Sequence, residues 1–190
     1  MTDRPLIVGI GGSTGAASST NQLLQHCLDR AGELGARTEM MGGDQLAALP
    51  IYAGDSGADA AAGLVEAVRA ADCVVIATPG YHGGMSGLVK NAIDHLEALR
   101  DDPRPYLDGR AVGVIVSAAG WQACGTTLVS VRSTIHALRG WPTPFGVTVN
   151  TAEQHQDGNG RFDDQIEGAL AILAGQLVEF ASWRTRATVR

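Results

Sequence analysis

Three short apolar runs constrain this chain more than any other feature. They are "PLIVGI" (Pro5–Ile10), "CVVIATP" (Cys73–Pro79) and "AVGVIVSAAG" (Ala111–Gly120). A strand wetted on one face alternates apolar and polar residues, whereas a continuous apolar run marks a strand covered on both faces, as in a parallel sheet. Each run is followed by a turn rich in small residues and then by a helical pattern. After the first, Leu23, Leu24, Cys27, Leu28 and Ala31 recur at helical spacing, with Gly35 as the stop.

The remaining elements follow the same alternation. "ARTEMM" reads as a second strand, and residues 42–57, with Pro50, Gly54 and Gly57, as a long loop. Helix two covers Ala58–Ala70, helix three "SGLVKNAIDHLEAL", helix four Thr126–Arg139, and a long final helix Phe162–Trp183. "TPFGVTV" supplies a fifth strand, with Pro144 near its start. Five strands alternating with five helices predict an α/β domain, a parallel sheet with helices on both faces. No composition break or repeat divides the chain, so residues 1–190 are expected to form a single domain. In such sheets ligands bind beyond the carboxyl ends of the strands, where strand order reverses. The segments after strands one, three and four therefore matter most.

Composition removes several function classes. The 14 Lys and Arg residues are scattered and the formal charge is −6, which argues against nucleic acid as a partner. Cys27, Cys73 and Cys124 share no metal-binding spacing, and their odd number makes a poor disulfide framework. A reducing, cytoplasmic setting is expected. The N-terminus enters an apolar strand within a few residues, so no signal peptide is expected, and no apolar run approaches the ~20 residues of a membrane span.

The first loop reads "GIGGSTGAASSTNQLL" (Gly9–Leu24). A nucleotide triphosphate loop needs a lysine, and none occurs before Lys90. The dinucleotide fingerprint needs a third glycine where Thr14 stands; Gly15 comes one residue late, and Glu39 and Asp44 are poorly placed to bind a ribose. A phosphate monoester suits the loop better. Ser13, Ser18, Ser19 and Thr20 supply hydroxyls, and the helix that follows supplies N–H groups and its dipole. Flavin mononucleotide carries such a phosphate. Helix capping would need only one of these side chains, so capping and phosphate binding both stay open here.

The second loop, "TPGYHGGMSGLVKNAIDHL" (Thr78–Leu96), leaves the best strand and enters a helix. Pro79 fixes the backbone, Tyr81 and His82 bring planar rings, and Gly83, Gly84 and Gly87 permit close backbone approach. A flat heterocycle needs this combination. The segment resembles the Thr-Pro-Glu-Tyr-(Asn/His)-Gly signature, with its following Lys-Asn and Asp, of the NAD(P)H-dependent FMN reductases. That family belongs to a flavodoxin-like superfamily that includes quinone, azo and chromate reductases. "GGSTGAASST" is similar to the family's phosphate loop.

The resemblance implies a flavodoxin-like three-layer sandwich with strand order 2-1-3-4-5. It implies that Ser13, Ser18, Ser19 and Thr20 hold the FMN phosphate, and that Pro79, Gly80, Tyr81, His82 and Gly83 line the isoalloxazine ring. Ser117, Ala118, Ala119 and Gly120, in the turn after strand four, would approach the ring's pyrimidine edge. Trp121 either stacks on a ligand or covers the core. Two residues depart from the pattern: Gly15 stands where many relatives carry Arg, and Gly80 where many carry Glu. The implied activity is hydride transfer from NAD(P)H to FMN, with no catalytic side chain required because the flavin carries the chemistry. A flavin-dependent monooxygenase as recipient of reduced flavin, and a homodimer or homotetramer, follow from the same resemblance. The alternatives are a quinone, azo or chromate reductase with tightly bound FMN, or a non-enzymatic electron carrier. Lys90, Asn91 and Asp94 read as a solvated or subunit-facing surface. The acidic stretch at residues 153–164 lacks calcium-loop spacing and reads as a polar turn before the last helix.

Overall fold

The computed structural model describes residues 4–15, 18–54, 57–153, 155–157 and 161–188. The strands are β1 (Leu6–Gly11), β2 (Arg37–Met41), β3 (Cys73–Tyr81), β4 (Gly84–Met85), β5 (Ala111–Ala118), β6 (Trp141–Pro142) and β7 (Val147–Asn150). The helices are α1 (Ser19–Glu33), α2 (Gly43–Ala47), α3 (Ala58–Ala70), α4 (Gly87–Asp94), α5 (Trp121–Ala137) and α6 (Asp164–Thr188), with a 3-10 turn over His95–Leu99.

The sheet runs β2-β1-β3-β5-β6, with β7 also on β5 and every one of these pairings parallel. All residues of β1 and β5 are buried, as their continuous apolar runs require. Alternate side chains feed two cores. Val8, Val74, Ile76 and Val114 pack with α3, α4 and α5. Ile7, Val75, Ile115 and Val147 pack with α1 and α6. This is the expected three-layer arrangement. The chain moves outward from β1 to β2, then returns to place β3 on the other side of β1. The reversal point therefore lies between the carboxyl ends of β1 and β3.

The expected five strands become seven, for two local reasons. The fifth strand position is split into β6 and β7 rather than running over Thr143–Val149. Pro142 and Pro144 lack N–H groups, so the strand cannot continue through them. The interruption keeps its hydrogen bonds: the Thr143 N–H donates to the Val112 carbonyl at 3.0 Å, and the Phe145 N–H to Gln176 Oε1 at 3.1 Å. The other addition is β4, which folds back antiparallel on the end of β3. His82 and Gly83 both have positive φ, 52° and 82°. Two such residues between antiparallel strands make a type I′ hairpin turn.

Other boundaries also move. The loop over residues 42–57 contains α2, whose turn is closed by Gln45 Oε1 accepting the Gly42 N–H at 2.8 Å. Helix four begins at Trp121 rather than Thr126, because Cys124 and Thr127 form part of a buried helical face. β5 stops at Ala118 instead of Gly120, and the last helix starts at Asp164 instead of Phe162. α6 is long and apolar enough over Asp164–Arg184 to cross a membrane by length and composition, contrary to the sequence expectation. In the fold its Leu170, Leu173, Ala174 and Leu177 are buried against the sheet. The three cysteines are free and buried, and burial pushes the Cys27 and Cys73 thiols up to about 12.

Candidate flavin site

Three loops meet where strand order reverses. The first leaves β1 with backbone in close contact. The Gly12 N–H donates to the Ala77 carbonyl at 2.9 Å, extending the β1–β3 ladder past the last paired residue. A side chain at Gly12 would put its Cβ 2.4 Å from Val89 Cγ2, so α4 presses directly on this turn. Ser86 joins the two loops: its hydroxyl donates to the Gly12 carbonyl at 3.0 Å while capping α4. The Ser86 N–H in turn donates to Thr78 Oγ1 at 2.9 Å. Ser86 is thus the cap of α4, and Thr78 is a wholly buried brace.

Ser18 is the N-cap of α1, its hydroxyl oxygen accepting from the Asn21 N–H. That bond leaves the Ser18 hydroxyl hydrogen available to a ligand. Among the described residues, neither the Ser19 nor the Thr20 N–H has an acceptor. Both sit at the positive end of the helix dipole, where an anion is stabilised. Capping and anion binding are therefore compatible, and the cap uses one of the hydroxyls.

Two residues that sequence reading did not single out hold Ser13 in place. Asn21 donates from Nδ2 to the Ser13 carbonyl at 2.7 Å, and its buried Oδ1 has no donor among the described residues. Gly43 packs so tightly that an added Cβ would lie 1.8 Å from the Ser13 oxygen. The doubled glycine of "MGGDQ" was the available signal. A cavity of about 370 Å³ lies here, between Ser13, Thr14, Gly15 and Asn21 on one side and Gly42, Gly43, Asp44 and Gln45 on the other.

The second loop is the β3–β4 hairpin. Pro79 is buried and Gly80 half-buried, while Tyr81, His82 and Gly83 are exposed at its tip. The hairpin rests on α5: Thr127 Oγ1 donates to the Gly84 carbonyl, and a Cβ at Gly80 would meet Thr127 Oγ1 at 2.8 Å and Ala118 Cβ at 3.0 Å. The space a glutamate side chain would leave through is thus filled by α5.

The third loop closes the edge. Ser117 and Ala118 are buried and Ala119 is exposed. Ser117 Oγ lies 2.5 Å from Thr20 Oγ1, so these hydroxyls face each other and one of their two hydrogens remains free. Gly120 has φ of 111°, and its N–H already donates to Asn150 Oδ1 at 2.7 Å. That N–H, expected to face the ring's pyrimidine edge, is therefore occupied by protein. Trp121 does not cover the core: it is 53% exposed, and its indole N–H donates to Glu153 Oε1. Cys124 is buried, with its thiol directed at the Ala118 and Val149 carbonyls.

The other candidates have structural partners. Lys90 pairs with Asp94 one helical turn away on an exposed surface. Asn91 accepts the Tyr52 N–H and donates to the Pro50 carbonyl, pinning the segment after α2. His95 also reaches the Pro50 carbonyl, at 2.9 Å. In the polar turn before α6, Asp163 caps the helix by accepting the Ile166 N–H and also meets His155.

A sequence model of the NADPH-dependent FMN reductase family matches residues 5–156. The FMN-dependent NADPH-azoreductase of Staphylococcus haemolyticus is 29% identical over 120 residues, 62% of this chain and 60% of that protein. The Staphylococcus aureus enzyme of the same name is 27% identical over 122 residues, 63% of this chain and 61% of its own. The match thus spans about three fifths of the length of these curated relatives. Among solved structures, the NAD(P)H:(acceptor) oxidoreductase FerB from Paracoccus denitrificans superimposes with a TM-score of 0.69 at 19% identity, covering 94% of this chain and 97% of that one. An NADH:FMN oxidoreductase gives 0.68 at 20%, covering 92% and 88%. A pneumococcal flavodoxin gives 0.59 at 16%, covering 92% and 97%, so the fold is flavodoxin-like. With the family match covering both glycine-rich loops and the strands that carry them, this chain belongs to the NADPH-dependent FMN reductase family.

Proposed function

We propose that this chain, acting as one domain, is an NAD(P)H-dependent oxidoreductase that uses FMN. One observation carries the reading: the lysine-free turn at the reversal point offers Ser18, Ser19 and Thr20 hydroxyls at the first turn of α1, where the helix dipole favours an anion. This donor set suits a phosphate monoester dianion, and it sits beside a glycine hairpin and a small-residue loop on the same sheet edge. When bound, the flavin supplies the hydride and electron chemistry.

The protein's own residues position and shield. Ser13, Ser18, Ser19 and Thr20 hold the phosphate. Pro79, Gly80, Tyr81, His82 and Gly83 form one wall for the ring, and Ser117, Ala118, Ala119 and Gly120 the other. The Gly12–Ser86–Thr78 hydrogen bonds fix the floor between them, so little reorganisation accompanies binding. The buried thiols have no part in this reading and suit a reducing, cytoplasmic compartment. A monooxygenase as recipient of reduced flavin and a homodimer or homotetramer remain part of the proposal, supported by the family alone.

A second reading, reduction of azo compounds or quinones by a tightly held FMN, is favoured by the FMN-dependent NADPH-azoreductases among the relatives. The test begins with the visible spectrum of the purified protein. NADH and NADPH oxidation are then followed with and without added FMN, and with an azo dye or quinone. Turnover that saturates with added FMN supports the flavin reductase. Turnover on the dye by protein already carrying flavin supports the second reading. Bound flavin that neither nicotinamide reduces would leave only an electron carrier. Ser13→Ala with Ser19→Ala should weaken FMN binding at least tenfold more than riboflavin binding; equal losses would reject the phosphate role.

A further inference from the structure

We propose that Trp121 is an aromatic wall on which the planar, electron-poor ring of the second substrate stacks. This rests on the FMN oxidoreductase reading above and adds a residue to it.

Trp121 opens α5 directly after Gly120, at the carboxyl end of β5, on the edge where the three loops meet. Its ring is 53% exposed, yet it is held from two directions. The indole N–H donates to Glu153 Oε1 at 2.9 Å. The same oxygen accepts from Asn150 Nδ2 at 2.6 Å. Asn150 is itself 6% exposed, and its Oδ1 accepts the Gly120 N–H at 2.7 Å and the Ala152 N–H at 3.2 Å. The backbone that carries the ring and the carboxylate that orients it are thus tied to one buried amide.

The other exposed tryptophans lack this arrangement. Trp141 and Trp183 are 62% and 56% exposed, and among the described residues neither indole N–H has a hydrogen-bond partner. They lie near the start of β5, at the opposite end of the sheet, beside Ala111. Ordering a large exposed side chain costs conformational entropy. Here that cost is met before any ligand arrives, and a surface pre-ordered in this way binds with a smaller entropic penalty.

The chemistry of the indole selects the ligand. Its face carries negative quadrupole charge, so it stacks best on rings poor in electrons or bearing positive charge. A quinone has this character, whereas the dihydronicotinamide of NADPH is uncharged and electron-rich. The wall therefore fits a quinone-like acceptor, and the NADPH arm of the experiment checks that choice.

Steady-state KM values are measured for NADPH, for 1,4-naphthoquinone and for ferricyanide, a one-electron acceptor with no ring. The proteins compared are wild type, Trp121→Ala, Trp121→Phe and Glu153→Ala. Trp121→Ala should raise the KM of naphthoquinone about tenfold, the scale of one aromatic pair, and leave those of NADPH and ferricyanide unchanged. A shift in the NADPH KM alone would overturn the assignment to the acceptor. Trp121→Phe should restore most of the loss, and Glu153→Ala, which frees the indole, should give a smaller shift of the same kind. If the naphthoquinone KM stays at wild type, or ferricyanide shifts equally, the wall is overturned while the oxidoreductase reading stands. Wild-type protein that oxidises neither NADH nor NADPH with FMN present would instead remove that reading, and this inference with it.

Discussion

The hydroxyl oxygens of Thr20 and Ser117 lie 2.5 Å apart across 97 residues of sequence, joining the first turn of α1 to the end of β5. Both residues are buried, so water replaces a lost partner poorly. Ser117→Ala should therefore leave Thr20 Oγ1 unpaired and cost about 1–3 kcal/mol. Thr20→Val with Ser117→Ala removes both polar groups and should recover most of that loss. Urea unfolding of the single and double variants measures the coupling. Additive losses would show that the hydroxyls do not depend on each other.

Gly15 stands where the family resemblance implies an arginine, and the described residues leave room for one. Among the described residues, a Cβ there would have no neighbour closer than 3.9 Å, and the backbone is not left-handed. Gly15→Arg should tighten FMN binding about tenfold, the scale of a hydrogen bond to a charged group, with riboflavin binding and unfolding midpoint unchanged. Asp44 lines the same cavity and would compete for the new guanidinium. Adding Asp44→Asn should therefore increase the gain. Flavin fluorescence quenching reports both affinities, and an equal gain for riboflavin would show that the arginine does not reach the phosphate.

Much of this site was legible in the sequence, for physical reasons that also mark the boundary of what was not. Continuous apolar runs identify the inner strands because burial on both faces leaves no polar position. Hydroxyls and glycines at strand ends identify the loops because the sheet brings every such end to one edge. Partners that lie far along the chain leave no comparable trace. Asn150 lies just past the expected fifth strand, yet it holds Gly120; Asn21 lies at the start of a helix, yet it holds Ser13. Gly43 is demanded by a backbone thirty residues earlier in the chain. The first turn of α5 is hidden in the sequence because Ala123, Cys124 and Gly125 have the small side chains of a loop, whereas the buried face that makes them helical exists only after folding.

Gly80, where the resemblance implies a glutamate, is the opposite case, because here the structure leaves no room. Its missing Cβ would sit 2.8 Å from Thr127 Oγ1 and 3.0 Å from Ala118 Cβ. Gly80→Ala should destabilise the protein by about 1–3 kcal/mol through overpacking, seen as a lower Tm. Thr127→Ala in the same chain removes the nearer contact and should relieve part of the cost. Gly80→Glu alone should be worse than Gly80→Ala. A glutamate variant with wild-type Tm would mean that the β3–β4 hairpin shifts away from α5 without penalty.

Glu167 makes acid stability depend on a contact between α1 and α6. Its carboxylate accepts from His26 Nδ1 at 2.7 Å and from Arg30 at 3.1 Å, with its side chain 13% exposed. Burial alone would raise its pKa, but the hydrogen bonds from His26 and Arg30 outweigh burial and hold the group below its ordinary value of 4.5. A carboxyl with a depressed pKa in the folded state binds its proton more weakly there than in the unfolded chain. Its stabilisation is therefore complete above the unfolded value and is lost as pH falls through the lower, folded value. Glu167→Gln keeps the shape and removes the charge. At pH 7 it should be less stable than wild type by about 1 kcal/mol, the scale of a hydrogen bond between charged partners that are partly exposed. Below the folded pKa wild-type Glu167 is protonated and neutral like glutamine, so the two stability curves should converge. Urea unfolding from pH 7 down to pH 3 tests this directly. Parallel curves over that range would show that the α1–α6 contact draws nothing from the charge of Glu167.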